Sequence, residues 1–469
     1  MFEPMFFAVI LWLLSVLVRK TNTGALAKWG ARLLAVSAAL SVGTAFFINW
    51  AAPKVTLPPP TGEYSVAMSH WVVNTGRAEL YTQNPSDERK LHVKVWYPTA
   101  DLSGVDFVHY KPKPKKALYA SPGMADVHAG KISSFGPLSF LGPHLTEMAR
   151  TSELAAYAGA APLKTAEKFP VLLFSPGHHA HLDFFSTTMQ DVASHGYIVV
   201  GVNHSYEVDK SILPTGEILQ RTDVALQDTM ALSVEDFRDY EKQLTAHYEV
   251  IERVGAKDED QFAQAYNDII NVPQDLTQDL PIRVADLLSV INFIETTVSG
   301  TESTALLESM DLTRVGAFGM SFGGPTSAEF CRAYGKCVAV ANIDGKNWGD
   351  MLHAPLDVPM MWVNGAYTAG ERFDVPYTLK HWKANAYRVL VPGALHQAFT
   401  DAPFLSPLVE LMVLEYPHNI APSGHSIDIM RTTNAALVAL FDRYAKGKPL
   451  QLKQIEEMLD GVKVEQYIH

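Results

Sequence analysis

Residues 314–328, RVGAFGMSFGGPTSA, decide the fold. The stretch begins as an apolar, β-favouring run that ends at Phe318, passes through Gly319-Met320-Ser321-Phe322-Gly323, and continues into Gly324-Pro325-Thr326-Ser327-Ala328, which can open a helix. A G-x-S-x-G pentapeptide between a strand and a helix holds its serine on a sharp turn. The flanking glycines let backbones approach closely, and the hydroxyl stays exposed at the helix N-terminus. A serine hydroxyl is a weak nucleophile at neutral pH, so this reading requires a base within hydrogen-bond reach and a third group to orient that base.

In α/β-hydrolases these partners follow in the chain order Ser, Asp, His. The next β-like run, 337–343 (CVAVANI), ends in Asp344-Gly345, a carboxylate at the carboxyl end of a strand. Strand-like 387–391 (YRVLV) is followed by Pro392-Gly393-Ala394-Leu395-His396, a loop histidine at the same sheet edge. Asp350 and Asp357 compete as the acid, but Asp350 lies beyond the strand end and Asp357 precedes Pro359 at the opposite edge. His425 competes as base, yet it stands where a helix begins.

A tetrahedral acyl intermediate needs two aligned N–H donors. Phe322, directly after the serine, offers one, and the turn Ser175-Pro176-Gly177-His178 after the apolar run 170–175 offers the other through the His178 amide. His178, His179 and His181 raise the question of a metal, but adjacent loop histidines without a carboxylate partner rarely converge on an ion. They read as polar walls near a pocket, with no cofactor and no metal expected. Phe184 and Phe185 read either as the lining of an acyl pocket or as core.

Working outward, β-like runs recur at 65–73, 91–97, 170–175, 197–202, 313–318, 337–343, 359–364 and 387–391, with helical spacing at 283–294 and 427–445. The later runs are continuously apolar, as parallel strands covered on both faces are. In 283–294, Val284, Leu287, Leu288 and Ile291 share a face. Residues 205–280 are polar, acidic and helix-favouring, an insertion that serves either as a lid or as a solvated excursion. The expected fold is α/β, a mostly parallel sheet flanked by helices over 63–469.

The N-terminus is different. Two uncharged runs, 5–18 and 33–50, flank Arg19, Lys20, Lys28 and Arg32. The second, at about 1.5 Å per residue, reaches roughly 27 Å, close to the hydrocarbon thickness of a bilayer. One or two membrane helices over 1–50 are expected, with the basic segment cytoplasmic and the large domain on the extracytoplasmic side. A cleaved signal remains an alternative. Residues 51–62 (AAPKVTLPPPTG) read as an extended, Pro-rich spacer that lifts the domain from the bilayer.

The chain has 469 residues, 48% of them hydrophobic and 19% charged, with a net charge of −12. Residues 1–50 carry +3, which leaves −15 on the remainder and argues against nucleic-acid binding. Two cysteines, Cys331 and Cys337, exclude a disulfide-rich scaffold or a cysteine zinc cluster. Pairing and two separate thiols both stay open, and the sequence does not reveal an oligomeric state.

The segments LHVKVWYP (91–98), KFPVLLFSPGHHA (168–180), DVASHGYIVVGVNHSY (191–206), RVADLLSVINFIE (283–295), RVGAFGMSFGGPTSAEFC (314–331), VANIDG (340–345), GALHQAFTD (393–401) and GHSIDIMRTTNAALVALFDRY (424–444) together resemble the platelet-activating-factor acetylhydrolase family of α/β-hydrolases. The resemblance implies a nucleophile at Ser321, an acid at Asp344, a base at His396 and oxyanion donors at His178 and Phe322. It further implies metal-independent hydrolysis of carboxylic esters, with short or oxidised acyl groups on phospholipids as substrates. Two departures bear on substrate: the oxyanion turn reads SPGH where relatives often have SHGL, and Met320 stands where His is commoner. A general carboxylesterase or polyester hydrolase, and a catalytically silent membrane-anchored scaffold, are the rival expectations.

Overall fold

The computed structural model describes residues 12–16, 24–82, 84–100, 115–119, 142–207, 211–219, 274–300, 304–352, 354–366, 374–412 and 425–468. Most of the 5–18 run and of the 205–280 insertion lies outside the described residues, as does the later part of 402–421.

Valine, isoleucine, phenylalanine and alanine runs build the centre of the sheet. Strands β1 (Ser65–Ala78), β2 (Glu88–Thr99), β3 (Lys116–Leu118), β4 (Glu153–Ala158), β5 (Phe169–Ser175) and β6 (Ile198–Asn203) precede a short ribbon of β7 (Ser211–Ile212) and β8 (Ile218–Leu219). Strands β9 (Met310–Met320), β10 (Cys337–Ile343), β11 (Met360–Ala366), β12 (Ala386–Pro392) and β13 (Lys463–Tyr467) follow. Eleven strands form one sheet in the order β13-β12-β11-β10-β9-β5-β6-β2-β1-β4-β3. From β6 to β12 neighbours run parallel, while β2 and β13 pair antiparallel at the two flanks. The parallel strands are buried on both faces, Val171 to Phe174 and Ile198 to Val200 completely so, which is why they read as unbroken apolar runs.

Helices α1 (Ala25–Ala51), α2 (Gly142–Thr151), α3 (Ser186–Ser194), α4 (Gln274–Val298), α5 (Gly323–Tyr334) and α6 (His425–Lys446) accompany the sheet. Two cores result. Met189 and Val192 of α3 and Leu437, Leu440 and Phe441 of α6 cover one face over Leu172, Phe174 and Phe318. Leu287, Val290, Ile291 and Ile294 of α4 and Phe330 of α5 cover the other over Val171, Leu173 and Val315. This is the α/β-hydrolase fold expected from the elbow. All eight β-like runs are strands. The buried face of α4 is rotated from the one expected: Val284 and Leu288 are half-buried, whereas Arg283 and Asp286 are buried beside Leu287.

Among the described residues one helix is long and apolar enough to cross a membrane, Lys28–Ala51, and its side chains face mostly outward, Trp29, Leu33, Leu40 and Phe46 among them. The segment after it is a correction to the spacer reading. Ala51, Ala52 and Val55 are buried, Val55 N–H donates to Ser152 Oγ at 2.9 Å, and Thr61 N–H donates to Asp191 Oδ1 at 2.6 Å. Gly62 N–H donates to Ser194 Oγ, and Ser406 Oγ donates to the Ala51 carbonyl. Residues 51–62 are a strap bound along the domain, because Asp191 and Ser194 on α3 supply acceptors that an extended backbone can reach.

Cys331 and Cys337 are joined, linking the end of α5 to the start of β10.

Candidate active site

Four non-glycine residues among those described have backbone angles in the left-handed region: His179, Tyr206, Ser321 and Asp344. Each lies in the loop just after the carboxyl end of a parallel strand, β5, β6, β9 or β10 respectively. Such conformations are costly for residues with a Cβ and collect where a site is held in a fixed geometry. The strain therefore marks one edge of the sheet.

Ser321 has φ +56° between β9 and α5. Its N–H donates to the Ile343 carbonyl at 2.8 Å, and its own carbonyl accepts from Gly324 N–H at 2.9 Å. The turn is too tight for side chains on either side: a Cβ at Gly319 would lie 2.0 Å from the Gly323 oxygen, and one at Gly323 would lie 1.9 Å from the Ser175 oxygen. These contacts give the glycines of the pentapeptide a steric explanation.

Asp344 follows β10, and its N–H donates to the Val363 carbonyl at 2.7 Å. Its carboxylate is buried and divides its acceptors: Oδ1 takes Gly365 N–H at 3.1 Å, and Oδ2 takes His396 Nδ1 at 2.6 Å. Asn342 supports the turn by accepting Gly345 N–H at 2.8 Å. His396 opens a short 3-10 turn, His396–Phe399, and its side chain is 40% exposed. With Nδ1 donating to Asp344, Nε2 is the ring nitrogen free to take a proton. Asp350 lies in the separate turn Gly349–Leu352, and His425 begins α6.

The turn after β5 reaches the serine from the other side. A Cβ at Gly177 would stand 3.2 Å from Ser321 Cβ, which puts the His178 backbone beside the nucleophile candidate. Among the described residues, the N–H groups of His178 and Phe322 have no protein acceptor. The His178 ring meets the Phe322 ring edge-on at 5.6 Å and bonds Asp279 through Nε2 at 3.0 Å. His179 bonds the Glu207 carbonyl, and its pKa is lowered to about 4 by burial and by His178. His181 is buried and caps the turn Leu182–Phe185, and Phe185 packs on Phe174 in the core.

His178, Glu207 and Asp279 are the metal-capable group among the described residues. Of the three loop histidines it includes only His178, set against two carboxylates. Its chemistry fits an ion poorly, because Arg283 already holds Glu207 through Nε at 2.8 Å and Nη2 at 2.6 Å, and Tyr81 donates to Asp279. Burial would raise Glu207, but the Arg283 guanidinium outweighs it and holds the carboxyl below its usual value. A second Ser–His–Asp chain, Ser175–His204–Asp286, has bonds of 2.9 Å at each link. All three of its members are fully buried, and Arg89 donates to both oxygens of Asp286 at 2.7 Å. It braces the end of β5 against α4 and is closed to substrate.

Sequence reasoning missed Arg283, Glu207 and Asp279. The signal was present: Asp279, Arg283 and Asp286 fall at i, i+4 and i+7, one face of α4, and that face points at the sheet edge rather than at water.

The sheet order and the serine turn at the carboxyl end of β9 define the class as an α/β-hydrolase fold. More narrowly, the chain belongs to the platelet-activating factor acetylhydrolase, isoform II, family, whose pattern matches residues 51–454. The platelet-activating factor acetylhydrolase of dog is 23% identical over 311 residues, covering 64% of this chain and 62% of that protein. The guinea-pig protein of the same name is 24% identical over 413 residues, covering 87% and 81%. A probable 1-alkyl-2-acetylglycerophosphocholine esterase of Arthroderma benhamiae is 24% identical over 246 residues, covering 50% and 49%. Alignment with the dog protein thus spans under two thirds of that relative. Among solved structures, a ferulic acid esterase from Streptomyces cinnamoneus superposes with a TM-score of 0.58 at 20% identity, over 88% of this chain and 99% of that one, a likeness of fold.

Proposed function

We propose that this protein is a serine ester hydrolase in which Ser321 attacks the acyl carbon, His396 takes its proton, and Asp344 steadies the imidazolium. The observation that carries the reading is the 2.6 Å contact between Asp344 and His396 Nδ1, at the sheet edge where Ser321 sits in its left-handed turn. The His178 and Phe322 amides hold the oxyanion, and water deacylates the serine by the same route. Family membership and relatives named as acetylhydrolase or esterase support short-acyl phospholipid esters as the substrate class.

The protein is anchored by Lys28–Ala51 with its large domain extracytoplasmic. Support comes from the length and outward apolar surface of that helix and from the Cys331–Cys337 bond, which suits an oxidising compartment. Rates on p-nitrophenyl esters from acetate to palmitate, with a short-chain phospholipid alongside, test the activity. Rates that fall steeply with chain length and drop by roughly 10³-fold or more in Ser321→Ala are expected. Equal rates in both proteins refute the nucleophile.

A further inference from the structure

The guanidinium of Arg283 touches both the turn that leads into His178 and the ring of Phe322, the two residues whose amides are assigned to the oxyanion. Nη1 donates to the Pro176 carbonyl at 2.8 Å and Nη2 to the Gly177 carbonyl at 3.0 Å, so both peptide groups leading into His178 are held by their oxygens. The same guanidinium carbon lies 4.9 Å from the centre of the Phe322 ring. Glu207 holds the fork in place through Nε and Nη2, and both side chains are almost wholly buried. His178 and Trp348 close on the Phe322 ring edge-on, at 5.6 and 6.2 Å. Arg283 therefore contacts the backbone just before one donor and the side chain of the other.

We propose that Arg283, held by Glu207, is a positioning residue that fixes the His178 and Phe322 N–H groups at the separation a tetrahedral oxyanion requires. This rests on the hydrolase reading above. The physical case is the identity of the partners. An arginine buried at this depth needs acceptors for the donors its carboxylate leaves over, and here those acceptors are consecutive carbonyls of one turn, so satisfying the guanidinium also holds the turn. A carbonyl anchored on one side of a peptide plane fixes the direction of the N–H on the other side. Anchoring the Gly177 carbonyl thus orients the His178 N–H, which belongs to the same peptide group. Lysine, with one nitrogen in place of the planar fork, cannot donate from the separate positions that Nε, Nη1 and Nη2 occupy.

The test compares wild type with Arg283→Lys and with the charge-neutral pair Arg283→Met/Glu207→Gln, which leaves no buried charge unpaired. Three readouts are taken on full-length protein: kcat and KM on p-nitrophenyl acetate, the Ki of an acyl trifluoromethyl ketone that forms a tetrahedral oxyanion adduct on the serine, and thermal unfolding. The expected result is kcat lowered by about 10- to 100-fold, somewhat less than full loss of one donor. KM should stay within about twofold, Ki should rise in parallel with the loss in kcat, and added guanidinium ion should restore part of kcat in the double variant. Variants with kcat within about threefold of wild type overturn the proposal, as do variants that lose kcat and unfolding temperature together while Ki is unchanged. Wild-type protein whose Ser321 fails to react with a fluorophosphonate overturns the hydrolase reading first, and the positioning role with it.

Discussion

Asp344→Asn keeps the shape of a buried carboxyl group and removes its charge. In the wild-type protein both oxygens accept, Oδ2 from His396 at 2.6 Å and Oδ1 from Gly365 N–H at 3.1 Å. Asparagine has one acceptor and one donor for the same two positions. With its oxygen towards Gly365, its NH2 faces His396 Nδ1, the imidazole proton moves to Nε2, and the base is lost. With its oxygen towards His396, the tautomer is right but the NH2 faces the Gly365 N–H in a buried site, at a cost of about 1–3 kcal/mol. Losing the charge also turns an ion-assisted bond to the imidazolium into a neutral one, about another 1–2 kcal/mol. Together these raise the barrier by about 2–5 kcal/mol, roughly a 30- to 5,000-fold loss in kcat. The assay is kcat on p-nitrophenyl acetate across the neutral pH range, with thermal unfolding to establish that the variant is folded. A folded variant within about threefold of wild type refutes Asp344 as the partner of the base, and Asp350→Asn then becomes the comparison to make.

Asp401 lies five residues beyond His396; burial raises its pKa to about 8 although both of its oxygens accept from Thr187 N–H. Between its unfolded value near 4 and about 8 the native state keeps a proton that the unfolded chain has released, so stability falls as pH rises through that window; Asp401→Asn should flatten this slope in urea titrations at several pH values, and an unchanged slope counts against the assignment. The bond between Cys331 and Cys337 closes a short loop, with a sequence separation of 6, so replacing both with alanine should cost about 2 kcal/mol in chemical denaturation, and no cost under oxidising conditions refutes the pairing. A chain beginning at residue 51 should unfold close to the temperature of the full-length domain, whereas one beginning at 63 loses Val55 burial and the bonds to Ser152, Asp191 and Ser194, about 3–6 kcal/mol in all. Equal melting temperatures for the two would show the strap to be unattached in solution.

The central strands were legible because they are covered on both faces, so local composition and tertiary burial agree along 170–175, 197–202 and 337–343. The serine turn was legible for a local reason too: Gly319 and Gly323 answer to clashes within a few residues of Ser321 or with the adjoining β5. Strands β4 (ELAAYA) and β13 (KVEQY) were not, since each lies towards a sheet flank where polar residues alternate with small ones and the apolar signal is weak. Arg283 escaped for a different reason. Its partners Pro176, Gly177 and Glu207 lie 107, 106 and 76 residues away, and a charge on a helix reads as solvated until the fold brings a carboxylate against it. The strap was misread because proline-rich composition reports stiffness and extension but carries no information about what an extended backbone lies against.

That strap bears on the anchoring proposed for Lys28–Ala51. A flexible leash lets a domain tumble and sample a hemisphere above its attachment point, with its mouth facing every direction in turn. Here the helix ends at a buried Ala51 whose carbonyl is tied to Ser406, ten residues past His396, and the next eleven residues are pinned to the domain. The join behaves as a mast. In the anchored arrangement proposed above, rotation about the bilayer normal would stay free while tilt is restrained, and encounter with an ester would become a search in a plane at fixed altitude.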